Sequence, residues 1–139
     1  MRHLSIESEG YEIDLNLRSQ ITIICGDAEA GSSFYELMSR EATREDILCI
    51  NYSLVRSKAN YNMVLKTIES SKQKIIIINQ ADSIQKLNNA IVHAINADIG
   101  INTYIVIGKA PNLDYKSSDL ATINIHDNKI TLDYLFSDT

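Results

Sequence analysis

The chain has one proline, five glycines and no tryptophan in 139 residues. So few backbone breakers exclude a long Pro/Gly/Ser linker, and there is no low-complexity tract or internal repeat. One unit, residues 1–139, with short connections is expected. Cysteine is equally scarce. Cys25 and Cys49 both fall inside apolar runs, with no CxxC pair and no zinc-type Cys/His spacing, so they read as small core residues. His3, His93 and His126 stand singly and give no metal-ligand pattern. No apolar run approaches the ~18 residues of a membrane span. The opening MRHLSIESEGYEIDL alternates and carries acids early, unlike a signal peptide. The cytoplasm is the expected compartment.

A basic surplus is also missing. The formal net charge is −5, and it is uneven. Residues 1–46 hold ten acids (Glu7, Glu9, Glu12, Asp14, Asp27, Glu29, Glu36, Glu41, Glu45 and Asp46) against Arg2, Arg18, Arg40 and Arg44, net −6. The rest is net +1. Direct duplex binding needs a basic footprint, which this balance argues against. A basic protein partner fits it, and so does a plain solvated acidic face.

What the chain does have is strand and helix periodicity. Leu4 and Ile6, then Tyr11, Ile13, Leu15 and Leu17, alternate around Glu9-Gly10 as a hairpin with one buried face. ITIIC (21–25), DILCIN (46–51), KIIIIN (74–79) and TYIVIG (103–108) read as strands covered on both faces. Phe34, Leu37 and Met38 mark a short helix. Tyr61, Val64, Leu65 and Ile68 mark a second, and Ile84, Leu87, Ile91, Ala94 and Ile95 a third, with Asp82 or Ser83 as N-cap. ATINIH (121–126) and KITLDYL (129–135) form a closing hairpin through Asp127-Asn128. The expectation is an α/β fold: a three-layer, mostly parallel sheet flanked by helices, with an N-terminal and a C-terminal β-hairpin added.

The stretch QITIICGDAEAGSSFYELM (20–38) holds the candidate site. Gly26 and Gly31 have the spacing of the phosphate-cradling loop G-x-x-x-x-G-K-[ST], but Ser32 stands at the lysine position and Ser33 at the magnesium-contacting hydroxyl. With these residues, the segment from about 20 to 109 resembles the core of the P-loop NTPases, in the branch that includes the AAA-type ATPases. The resemblance implies that KIIIINQ is the Walker B strand and TYIVIGK the sensor strand. It places Asn79 where that family has its magnesium-holding aspartate and Gln80 where it has the catalytic glutamate. Phosphoryl transfer depends on positioning and electrostatic stabilisation, so these neutral replacements remove its main contributions.

The resulting expectation is a non-catalytic P-loop-like protein that acts by binding another protein. An inhibitor or adaptor fits, because richness in isoleucine and asparagine is the usage of AT-rich bacteria, their phages and mobile elements. No cofactor is expected, and Gly26, Gly31, Ser32, Ser33 and Lys109 would be a vestigial phosphate site. Two alternatives stand beside this one. A small NTPase or nucleotide sensor would hold ATP or GTP with magnesium through Ser33, Lys109 and Asp82; an accessory subunit would dock beside an active ATPase. Tyr11, Tyr35, Tyr52, Tyr61, Tyr104, Tyr115 and Tyr134 are candidate interface anchors, and an exposed edge strand would permit self-association.

Overall fold

The computed structural model describes residues 2–41 and 44–136. Its core is one mixed eight-stranded sheet. The chain enters through β1 (Arg2–Ser8) and β2 (Tyr11–Leu17), an antiparallel hairpin. It continues through β3 (Ile21–Cys25), α1 (Ala28–Ser39), β4 (Ile47–Ile50), α2 (Tyr52–Val55) and α3 (Lys58–Ser70). Then come β5 (Ile75–Ile78), α4 (Ala81–Leu87), α5 (Ala90–Ala97) and β6 (Thr103–Ile107). A 3-10 turn at Ser117–Asp119 leads into β7 (Leu120–His126) and β8 (Lys129–Tyr134), the second antiparallel hairpin. Strand order across the sheet is β1-β2-β8-β7-β3-β6-β5-β4.

The β-branched runs form central strands because both of their faces are covered. In β5, Ile75 and Ile77 join the core around α1, while Ile76 and Ile78 join the core under α2–α5; all four are at most 1% exposed. Tyr104 and Val106 of β6 face the second core, and Ile105 and Ile107 the first.

The expected three-layer, mostly parallel sheet with two added hairpins is not what forms. The hairpins supply four of the eight strands and lie side by side, joined by a short parallel β2–β8 ladder, and the sheet curls. Leu4 and Ile6 of β1 share one core with Ile47 of β4 through Phe34, Leu37 and Met38 of α1. In a flat sheet those strands, at opposite ends of the order, would stand roughly 34 Å apart, seven spacings of about 4.8 Å. One helix is only about 10–12 Å across and cannot bridge that gap. The sheet therefore wraps α1 as a half-barrel. The Arg2 guanidinium accordingly donates to the Gln73 carbonyl at 2.8 Å, and the tip residue Glu9 pairs with Arg40 just past the end of α1.

The outer face of the hairpin half has no helix against it. There His3, Ser5, Glu7, Glu12, Asn16, Lys129 and Asp133 are exposed, as alternation in an antiparallel sheet with one wet face dictates. A second correction concerns the third helix: the apolar repeat from Ile84 to Ile95 spans two helices, α4 and α5, because Asn88 is extended (φ −169°) and its side chain accepts from the Ala90 N–H at 2.8 Å. α2 is a four-residue helix without a sequence-level expectation; the Asn51 side chain caps it, accepting from the Leu54 N–H.

Candidate functional site

The parallel strands β3, β6, β5 and β4 end on one edge of the sheet, where open α/β sheets place ligands. Because Ile24 pairs with Ile107 and Ile78 with Val106, that edge brings Gly26-Asp27, Gly108-Lys109 and Asn79-Gln80 into neighbouring positions. The sequence-derived candidates thus converge in part. Their local geometry differs from a phosphate loop.

Only Gly26 and Asp27 separate β3 from α1. Gly26 has φ +84°, a conformation that favours glycine, and a Cβ there would meet the Thr122 methyl at 3.2 Å. Asp27 is the N-cap of α1: its carboxylate accepts from the Glu29 N–H at 2.9 Å. That carboxylate occupies the helix N-terminus, where a phosphate would be held by the same N–H groups and the same dipole. The site already contains its own anion.

Gly31, Ser32 and Ser33 lie within α1 rather than in a loop. At about 1.5 Å rise per residue, Ser33 stands more than a full turn beyond the helix start. Gly31 is buried, and a Cβ there would come within 3.0 Å of Ile107 Cγ2. Its role in the structure is to let α1 approach β6 closely. Ser32 and Ser33 are exposed and share a face with Glu29 and Glu36.

Lys109 is exposed at the end of β6. Gly108 before it has φ +103° and packs against the start of α4, where a Cβ would fall 2.9 Å from Asp82 Oδ1. Asn79 turns inward on its own backbone, its Oδ1 accepting from the Gln80 N–H at 3.1 Å. Gln80 is left-handed at φ 58°, ψ 45° and is the N-cap of α4, with no side-chain cap bond. The N-cap reading of Asp82 and Ser83 is corrected accordingly: both lie inside the first turn. Among the described residues no group of three or more His, Cys, Asp or Glu side chains could hold a metal ion. Burial pushes the Cys49 thiol up to about 11, so it stays protonated near neutral pH and is a poor nucleophile.

Six of the ten acids of the first 46 residues lie on two surfaces. Glu7, Glu12 and Asp14 stand on the outer sheet face, where His3 and Lys129 pair with Asp14. Asp27, Glu29 and Glu36 stand along α1, and none of them has an ion-pair partner among the described residues. Of the tyrosines, Tyr35, Tyr61 and Tyr104 are buried and Tyr11, Tyr52 and Tyr134 are half-buried. Only Tyr115, half exposed, has the open ring of an interface anchor.

Two polar clusters carry no sequence signal, because their members are far apart in the chain or lack a motif. Arg18 stacks on the Tyr134 ring at 3.9 Å and donates to the carbonyls of Ser118 and Phe136. Asp98 accepts from Tyr104 Oη at 2.6 Å and from Asn102 Nδ2 at 2.9 Å. Among the described residues no helix is long and apolar enough to cross a membrane. Comparison of the chain with protein-family models, with curated proteins and with solved structures finds no match.

Proposed function

We propose that this protein acts without nucleotide turnover, by binding a basic protein surface through the exposed stripe of α1, as an inhibitor or adaptor in the cytoplasm of a bacterium or its phage. The observation that carries this reading is Asp27. Its carboxylate fills the anion position at the start of α1, and Glu29 and Glu36 add negative charge along the exposed face of the helix. An unneutralised acidic stripe repels phosphate and steers a cationic partner. No lysine occurs before Lys58 to offset it.

The test is affinity capture followed by quantitative mass spectrometry, comparing wild type with two double variants. Glu29→Lys/Glu36→Lys is expected to lose its specific partner at least tenfold. Asn79→Asp/Gln80→Glu, which restores the two acids at the end of β5 away from that stripe, is expected to retain it. Equal capture by wild type and the charge-reversed protein would overturn the proposal. The nucleotide-sensing alternative rests on Lys109, exposed beside the same sheet edge. It requires nucleotide affinity that Lys109→Ala removes.

A further inference from the structure

The open edge of β1 carries an arrangement independent of the reading above. In a two-residue hairpin the closing pair, here Ser8 and Tyr11, exchanges both backbone hydrogen bonds. Bonded pairs then recur at Ile6–Ile13, Leu4–Leu15 and Arg2–Leu17. The N–H and C=O groups of His3, Ser5 and Glu7 therefore point away from β2. β1 is the terminal strand of the sheet, and no other described segment bonds to those groups. Three devices that protect an edge are missing, since β1 runs for seven residues with no proline, no lysine and no bulge; its charged side chains are Arg2 and Glu7.

We propose that β1 pairs antiparallel with β1 of a second copy of this chain, about a two-fold axis through Ser5, so that two curled sheets join into one. Leu4 and Ile6 fix the parity of the register, because they must stay on the core side while His3, Ser5 and Glu7 stay outside. Among registers of that parity, the one centred on Ser5 uses the whole strand. It sets Arg2 opposite Ser8, His3 opposite Glu7, Leu4 opposite Ile6 and Ser5 opposite itself. The outward backbone groups of His3, Ser5 and Glu7 then meet their own counterparts in bonded pairs. The His3–Glu7 pairing occurs twice by symmetry and sets an imidazole against a carboxylate.

His3 is already paired with Asp14, so in the dimer its ring would have a carboxylate on each side. The Asp14 carboxyl is held below its ordinary range, first by the hydrogen bond with His3 and also by Lys129, while desolvation opposes the shift. The other edge strand, β4, is only four residues long. Pairing of β1 on β4 would be head-to-tail and would propagate, whereas β1 on β1 closes at two copies.

Sedimentation equilibrium on the full chain, from micromolar to near-millimolar concentration, tests this. A species of twice 15.6 kDa is expected. Ser5→Pro removes the N–H at the axis and places a ring in the path of the second strand, leaving the ladder to β2 intact. It is expected to be monomeric throughout, with an unchanged circular dichroism spectrum. Glu7→Lys replaces the carboxylate opposite His3 by a cation and is expected to weaken association at least tenfold, with partial recovery in His3→Glu/Glu7→Lys. A wild-type monomer at the highest concentration overturns the proposal, as does an assembly larger than two. So does a dimer indifferent to both substitutions; if Ser5→Pro fails to fold, Glu7→Lys alone decides.

Discussion

Asp98 follows α5, and its carboxylate gathers groups from residues 101–104. Burial works to raise its pKa, but the Tyr104 hydroxyl, the Asn102 amide and the N–H groups of Ile101 and Asn102 outweigh burial and hold it below the ordinary carboxylate value. A depressed folded-state pKa contributes stability that is complete above the unfolded value, near 3.9, and is lost as pH falls through the folded one. Wild-type stability should therefore drop below about pH 4 more steeply than that of Asp98→Asn, in urea titrations across that range. Asp98→Ala leaves the buried Tyr104 hydroxyl without its acceptor and should cost about 2 kcal/mol at neutral pH. Gly31 gives the second prediction at this scale. Gly31→Val pushes methyl groups against Ile107 and should cost about 2 kcal/mol by denaturant unfolding, with the far-ultraviolet spectrum retained. In a flexible loop the same change would be nearly silent, so the measurement distinguishes helix from loop.

At the scale of elements, the apolar alternation of β1 and β2, the continuous isoleucine run of β5 and the β-branched runs of β3 and β6 made those strands legible, because burial of one face or of both writes directly into the pattern. Glu9-Gly10 and Asp127-Asn128, all at positive φ, made both hairpins legible. Three features were not. The start of α1 was hidden because the letters GDAEAGSS fit a loop spacing, while Asp27 makes the capping bond that begins the helix at Ala28. The break between α4 and α5 was hidden because Asn88-Asn89 interrupts the backbone without interrupting the apolar spacing. The neighbours of β8 were hidden because its pairing with β2 depends on curvature, which no local pattern records. The join is short, Glu12 with Lys129 and Ile13 with Ile130, and the Arg18–Tyr134 stack reinforces it. Tyr134 Oη also accepts from the Arg18 N–H at 3.0 Å and lies 3.0 Å from Thr22 Oγ1. Tyr134→Ala should cost about 2–3 kcal/mol. Hydrogen exchange should then accelerate in β7 and β8 well before β5 and β6; uniform acceleration would contradict a local role.

For the whole molecule, curvature decides which surfaces are available. The sheet folds around α1, so the buried face of that helix faces its neighbours at both ends of the strand order, and its outer stripe of Glu29, Ser32, Ser33 and Glu36 faces solvent. The same curvature leaves the outer face of the hairpin half wet and its β1 edge open. Of the candidate residues named from sequence, Gly26 and Lys109 lie at the end of the parallel strands, whereas Gly31, Ser32 and Ser33 lie within α1, because the connection from β3 is shorter than letter spacing suggested. If the Asp27 carboxylate stands at the start of α1 in place of a phosphate, the helix has no free anion site to offer a nucleotide. Calorimetric titration of the full chain with ATP and with GTP, each with and without magnesium, tests it most directly. No binding heat and no thermal shift are expected at millimolar nucleotide; micromolar affinity that disappears in Lys109→Ala would overturn this reading of α1.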